Sequence, residues 1–121
     1  MRKEDMVDRT RRFALRVIRL VSSLPTERTA DIIGRQVLRS GTSIGANYRE
    51  ASRAATKKHF ASILSIALRE ADETLYWLEL LRDAELVRAS LLSDLIDECN
   101  QLVAILASSV KTAAYRGKSQ E

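Results

Sequence analysis

The sequence predicts an all-α fold, an antiparallel up-down-up-down four-helix bundle, and three observations lead to it. Four long stretches repeat apolar residues at the three- and four-residue spacing of a helix. The chain holds only four glycines and one proline, too few for the hairpins of a β-rich fold. The connectors between the stretches are short, which favours antiparallel neighbours. A length of 121 residues fits one core, so residues 1–121 are expected to form a single domain.

The first two helices are expected at residues 5–23 and 27–55. Pro25 ends the first helix, and Thr26 is the expected N-cap of the second. An apolar seam in the second helix crosses Gly41 and Gly45 without losing its phase. This continuity predicts one long helix there rather than two short ones.

The third and fourth helices are expected at residues 57–83 and 89–115, joined by a short connector. The main apolar face of the third helix consists of Phe60, Leu64, Ala67, Ala71, Leu75 and Leu78. The fourth helix carries a broad apolar stripe that includes Cys99, which predicts a core position for this thiol. Residues 116–121 are expected to form a loose tail.

Three glycines, Gly34, Gly41 and Gly45, fall on adjacent faces of the second helix. Each glycine inside a helix costs about 1 kcal/mol relative to alanine. Close approach of a neighbouring helix would compensate for that cost, so close packing or a mild bend is expected, and a kink or short loop is the alternative. The segment lacks the strand–turn–helix context and the lysine of a phosphate-binding loop, so nucleotide binding by these glycines is disfavoured.

Glu70 interrupts an otherwise apolar flank of the third helix, on the side that also carries Trp77. A carboxylate in such a place is costly unless it is paired or hydrogen-bonded. Its expected partners on the second helix are Asn47, Tyr48 and Arg49. An arginine of a neighbouring subunit is a further candidate.

The apolar flank makes the third helix too widely apolar for a bundle that packs only within one monomer, which favours an oligomer. The residues expected at tight helix–helix or subunit contacts are Gly41, Gly45, Asn47, Glu50, Glu70, Glu73 and Trp77. The competing interpretation is general acid–base catalysis by Glu70 with Glu73 or Glu50.

Catalytic and metal-binding motifs are not evident in the sequence, so no enzyme activity and no cofactor are expected. A di-metal carboxylate bundle needs a Glu-x-x-His pair on each of two helices. The chain has one histidine, His59, with no glutamate three residues before it, and it is expected to face solvent. Neither a signal peptide nor a membrane-spanning stretch is evident, so a cytoplasmic location is expected and no membrane partner.

Positive charge is concentrated in the first half of the chain. Residues 1–55 hold twelve Arg and Lys against six Asp and Glu, whereas residues 56–115 hold six against nine. Arginines recur at helical spacing in two rows, and the members taken as candidate nucleic-acid contacts are Arg9, Arg12, Arg16, Arg19, Arg35, Arg39, Arg49 and Arg53. The rows either are solvated faces or meet an anionic partner, for which RNA or DNA is the first candidate.

The segments RSGTSIGANYREA at residues 39–51 and EADETLYWL at residues 70–78, together with Phe60, carry a family resemblance. They resemble the four-helix-bundle proteins encoded within intervening sequences of bacterial 23S ribosomal RNA genes. The resemblance implies a bundle that assembles as a ring, a homopentamer. The accessory proteins of diversity-generating retroelements are similar bundles that bind nucleic acid and a reverse transcriptase. A non-enzymatic accessory protein is therefore implied, with a protein–protein scaffold held together by arginine salt bridges as the rival.

Overall fold

Four helices account for nearly all of the protein. A computed structural model describes residues 2–119, with side chains described for residues 2–115. The helices are α1 (Lys3–Ser22), α2 (Arg28–Ser52), α3 (Lys57–Asp83) and α4 (Ala89–Ser119). Over residues 2–119 there is no β-strand, so the predicted all-α class is confirmed. Helices that follow one another in sequence pack together extensively, whereas α1 and α4 make only a sparse contact.

All four helices contribute to one hydrophobic core. Its fully buried large side chains include Phe13, Val17, Ile44, Leu64, Leu78, Leu102 and Leu106. The predicted seam of α2 is largely correct, since Val37, Ser40, Ile44 and Ala51 are buried. Asn47 of that seam is only partly buried, and Tyr48 is buried in its place. The buried face of α2 is therefore rotated toward its glycines.

Several helix limits differ from the sequence-based expectation. The N-cap of α2 is Glu27 rather than Thr26, and its side chain makes no capping hydrogen bond. Glu27 has an extended backbone and donates its N–H to the carbonyl oxygen of Pro25, which delays the start of the helix to Arg28. Helix α4 continues to Ser119, past the expected end at residue 115. Residues 120 and 121 of the expected tail lie outside the described part of the chain.

The glycines of α2 bring α1 close. A Cβ added to Gly41 would lie 2.9 Å from both methyl groups of Val17, and one added to Gly45 would lie 3.3 Å from the backbone of Thr10. Helix α2 runs through both glycines without interruption, so the predicted single helix and the predicted close approach are confirmed. As residue numbers rise from Gly41 to Gly45 along α2, the contacted residues of α1 fall from Val17 to Thr10.

The two ends of α3 are capped by different motifs. At its start, the hydroxyl of Thr56 accepts a hydrogen bond from the N–H of His59. At its end, Glu85 has a positive φ of 59°. The N–H of Leu86 bonds to the Leu81 carbonyl at 3.0 Å, and that of Glu85 bonds to the Arg82 carbonyl at 3.0 Å. This pair of bonds is a Schellman motif. Glu85 occupies the position of the motif at which glycine is usual.

Candidate nucleic-acid interface

The arginine row on α1 begins with a residue that is already bound. Arg9 donates two hydrogen bonds to Glu98 on α4, Nε to Oε2 at 2.8 Å and Nη2 to Oε1 at 2.7 Å, and a third to Gln101. Both charged side chains are mostly buried, with exposed fractions of 17% and 19%. The Arg9 hydrogen bonds lower the pKa of the Glu98 carboxyl and raise the pKa of Arg9. Arg9 is thus committed to holding α1 against α4.

The rest of the α1 row is partly neutralised. Arg12 lies 2.9 Å from Asp8, one turn earlier. Arg16 and Arg19 have no carboxylate within 4 Å among the described residues. Together with Arg9 and Arg12 they line a shallow groove that also contains Glu98. The negative charge of Glu98 reduces the attraction of this groove for an anion.

Two arginines of the α2 row also have acidic partners. Arg35 lies 3.1 Å from Asp31, an exposed pair on one turn of helix. Arg39 reaches across to α3, where it contacts Glu70 at 3.2 Å and also binds Glu73. The carboxylate of Glu73 accepts a further hydrogen bond from the indole N–H of Trp77 at 3.0 Å. These residues form a polar network that joins α2 to α3.

The partners expected for Glu70 on α2, namely Asn47, Tyr48 and Arg49, were wrong. Its partner is Arg39, and Asn47 instead donates its side-chain N–H to the Ser43 carbonyl of its own helix at 2.8 Å. The reason is the register between α2 and α3, because the partner lies eight residues before Asn47. At a rise of 1.5 Å per residue, that separation is about 12 Å along the helix.

Arg49 and Arg53, at the end of α2, differ from the arginines before them. Both are exposed, and neither has a carboxylate within 4 Å among the described residues. Lys57 and Lys58 follow at the start of α3, also exposed and without such a partner. We call these four residues, Arg49, Arg53, Lys57 and Lys58, the basic turn. Arg49 and Arg53 line one surface groove together with Glu50 and His59, and Lys57 and Lys58 are the first two residues of the next helix.

The lysines of the basic turn were missed from the sequence, although a signal was present. The first turns of α3 and α4 contain no acidic residue, whereas α1 has Glu4 and Asp5 there and α2 has Asp31, and only α3 begins with two lysines. A helix N-terminus carries partial positive charge and favours acidic side chains. A first turn that holds two lysines instead is therefore an indication of an anionic partner.

The residues expected at subunit contacts fall into two groups. Gly41, Gly45 and Asn47 are engaged within the chain, by α1 or by their own helix. Glu70, Glu73 and Trp77 are also engaged within the chain, through Arg39 and through the Trp77–Glu73 hydrogen bond. Glu50 is exposed beside the basic turn, and several large apolar side chains reach the surface. The exposed apolar residues on the first three helices are Leu15, Ile18, Ile32, Leu38 and Tyr76.

Cys99 lies in the core, as the apolar stripe predicts. Burial raises the pKa of its thiol to about 12, so it stays protonated. Within the described residues no cluster of three or more histidine, cysteine or acidic side chains could hold a metal ion. None of the described helices combines the length and the apolar character that crossing a membrane would require.

The fold and the basic turn together define an all-α, four-helix protein in which exposed cations flank the α2–α3 connector. A sequence profile for the 23S rRNA-intervening sequence protein family matches residues 2–108, and the chain belongs to this family. The fold is similar to the crystal structure of a protein of unknown function from the S23 ribosomal protein family of Bacteroides thetaiotaomicron. The two share 38% sequence identity and a TM-score of 0.84, over 92% of this chain and 99% of that one. No curated protein matches the chain.

Proposed function

We propose that this protein is a non-enzymatic, antiparallel four-helix bundle that assembles as a homo-oligomer and binds RNA or DNA as a cytoplasmic accessory protein. The observation that carries the proposal is the basic turn, in which four exposed cations have no carboxylate partner among the described residues. Cations grouped in this way are suited to phosphates, and contacts to phosphates carry no sequence information.

The antiparallel arrangement is supported by the contacts between helices. Residue numbers along α1 fall as those of the contacted glycines of α2 rise. The helices are joined by connectors of about five residues, which suit neighbours that run in opposite directions.

Assembly is supported by exposed apolar side chains on three helices. Ile18 on α1 and Leu38 on α2 are 42% and 37% exposed, and Ile32 is 56% exposed. A second copy covering these side chains would remove them from water. The family resemblance suggests a homopentamer, and a reverse transcriptase is a candidate protein partner on the same ground. A ring would place several basic turns on one particle and multiply the phosphate contacts of each subunit.

The rival function is a protein–protein scaffold in which arginines serve salt bridges between subunits. The pairing of Arg9 with Glu98 favours it, because an arginine of the predicted nucleic-acid row turns out to hold two helices together. Arg39 likewise forms an ion pair between α2 and α3. Under this function Arg49 and Arg53 would meet acidic residues of another subunit rather than phosphates.

The test compares two double variants that remove the same charge. In Arg49→Gln/Arg53→Gln the cations without a partner are lost, and in the control Arg12→Gln/Arg35→Gln the lost cations each have an acidic neighbour one turn away. Binding of a duplex and of a single strand is titrated against salt. Each lost phosphate contact reduces the slope of log affinity against log salt by about 0.9 for duplex DNA or about 0.7 for a single strand.

We expect a shallower slope in the first variant and a slope close to wild type in the control. Light scattering on all three proteins checks that the assembly is unchanged. Absence of binding at low salt would contradict the proposal. Equal slopes with a smaller assembly in the first variant would support the scaffold instead.

A further inference from the structure

A cavity opens beside the basic turn and is lined by residues of all four helices. Its volume is about 550 Å³, within the range of about 300–1,000 Å³ that is usual for small-molecule sites. The lining residues used below are Lys3, Tyr48, Lys57, Phe60 and Ser108. The lining thus combines two lysines, two aromatic rings and hydroxyl groups.

Tyr48 is the residue that points to a ligand. Only 5% of Tyr48 is exposed, and the residue lines the cavity. Its hydroxyl makes no hydrogen bond to any described residue, and its oxygen is not itself buried, so it is accessible from the cavity. Burial, and next the charge of Glu4, raises the pKa of this hydroxyl, so it remains a hydrogen-bond donor at neutral pH. A donor without an acceptor in a cavity suits a ligand that supplies the acceptor.

Lys3, Lys57 and the start of α3 supply positive charge around the cavity. The ammonium group of Lys3 lies 4.4 Å from the centroid of the Phe60 ring, within the range of a cation–π interaction. Lys57 is the first residue of α3, where the N–H groups of the first turn have no acceptor inside the helix. Thr56 satisfies the N–H of His59 through its hydroxyl, and that of Phe60 through its carbonyl oxygen. The N–H groups of Lys57 and Lys58 remain for an anion.

We propose that this cavity binds a phosphate monoester of nucleoside size, either a free nucleotide or the phosphorylated end of a strand. The phosphate would accept hydrogen bonds from the Tyr48 hydroxyl, from Lys3 and Lys57, and from the start of α3. The volume exceeds what a bare phosphate needs, so the remaining space, beside the aromatic rings and Ser108, receives the organic group. This site goes beyond the proposed function, because the basic turn requires only a chain of phosphates.

The experiment uses adenosine monophosphate as the probe, measured by calorimetry on the full chain. Tyr48→Phe and Lys57→Gln should each weaken binding by about tenfold, the loss expected for one hydrogen bond to a charged group. Lys111→Gln is the matched control, since it removes the same charge from an exposed residue of α4 that does not line the cavity. Tyr48→Phe should keep the melting temperature of the wild type, because the hydroxyl has no partner to lose within the described structure.

Adenosine and inorganic phosphate separate the two parts of the ligand, and both should bind more weakly than the monophosphate. A 5′-phosphorylated oligonucleotide that binds more tightly than its 5′-hydroxyl form would identify the strand end as the source. Equal binding of the two oligonucleotides, with binding of the free monophosphate, would identify the free nucleotide. A protein that binds polynucleotides but not the monophosphate, or variants that all bind it as the wild type does, would overturn this inference. Monophosphate binding without polynucleotide binding would instead overturn the proposed function alone.

Discussion

The two ends of α3 carry charges of the sign that a helix dipole disfavours, but only one end neutralises them. At the C-terminal end, where basic residues are favoured, the acidic residues Glu79 and Asp83 lie within 4 Å of Arg82. At the N-terminal end, where acidic residues are favoured, Lys57 and Lys58 have no such partner among the described residues. The lysines therefore do not contribute to the stability of their helix through its dipole. An external anion is therefore expected at the N-terminal end, where the charges of the lysines are not neutralised by described residues of the chain.

The largest effect is expected from reversing the charge of the N-terminal end. Lys57→Glu/Lys58→Glu should weaken nucleic-acid binding by more than about tenfold at 0.1 M salt, since two phosphate contacts are lost and two repulsions are added. The same change should raise the free energy of unfolding by about 1 kcal/mol, because acidic residues suit the start of a helix. Denaturant unfolding and binding titrations measure the two effects on one protein.

The neutral variant Lys57→Gln/Lys58→Gln serves as the control and should fall between the wild type and the reversed variant in both measurements. A reversed variant that is more stable and binds nucleic acid as tightly as the wild type would contradict the assignment of an external anion to the N-terminal end of α3. In that case the lysines would be solvated residues without a phosphate partner.

At the middle of α3, loss of an ion pair with α2 is expected to lower the free energy of unfolding rather than raise it. Arg39→Gln should lower the free energy of unfolding by about 1 kcal/mol, because it leaves the mostly buried Glu70 without its cation. Arg35→Gln on the same helix is the matched control, since its pair with Asp31 is exposed and such pairs contribute little. Similar losses for both variants in denaturant unfolding would show that the Arg39–Glu70 pair stabilises the protein no more than the exposed Arg35–Asp31 pair does.

The smallest effect is expected at the C-terminal end of α3. Glu85→Gly should raise the free energy of unfolding by about 0.5–1 kcal/mol, because glycine adopts a positive φ without the strain of a side chain. Glu85→Ala removes the charge but keeps the strain. The difference between the two variants therefore gives the contribution of the backbone conformation to the free energy of unfolding. Neither variant should alter nucleic-acid binding. A change in binding would mean that both ends of α3, not one, contact the partner.

The fold could be predicted because it depends on local patterns. Apolar spacing and short connectors are visible in the sequence, and the uninterrupted seam through Gly41 and Gly45 gave a correct single helix. The rotation of the buried face of α2 toward Tyr48 was not visible. It depends on how closely α1 approaches the glycines, which is a property of the packed pair rather than of either helix.

The candidate site could be predicted only in part. Spacing placed the arginines on their faces, but it did not tell which of them had an internal partner. Arg9 pairs with Glu98, 89 residues away, and Arg39 pairs with Glu70, so both pairings depend on the register between helices. Periodicity within one helix carries no information on that register. The lysines at the start of α3 were accessible from sequence, through the absence of acidic residues in that turn.

The pairing order of the helices has a consequence for how the chain folds. Extensive contacts join only helices that are neighbours in sequence, and the sparse contact between α1 and α4 is closed by the Arg9–Glu98 pair. Local contacts of this kind give a low contact order, for which folding in microseconds to milliseconds is typical. The first three interfaces can form successively along the chain, each closing a short loop. The ion pair between the first and last helices would then form late, and its strength would govern mainly how fast the native protein unfolds.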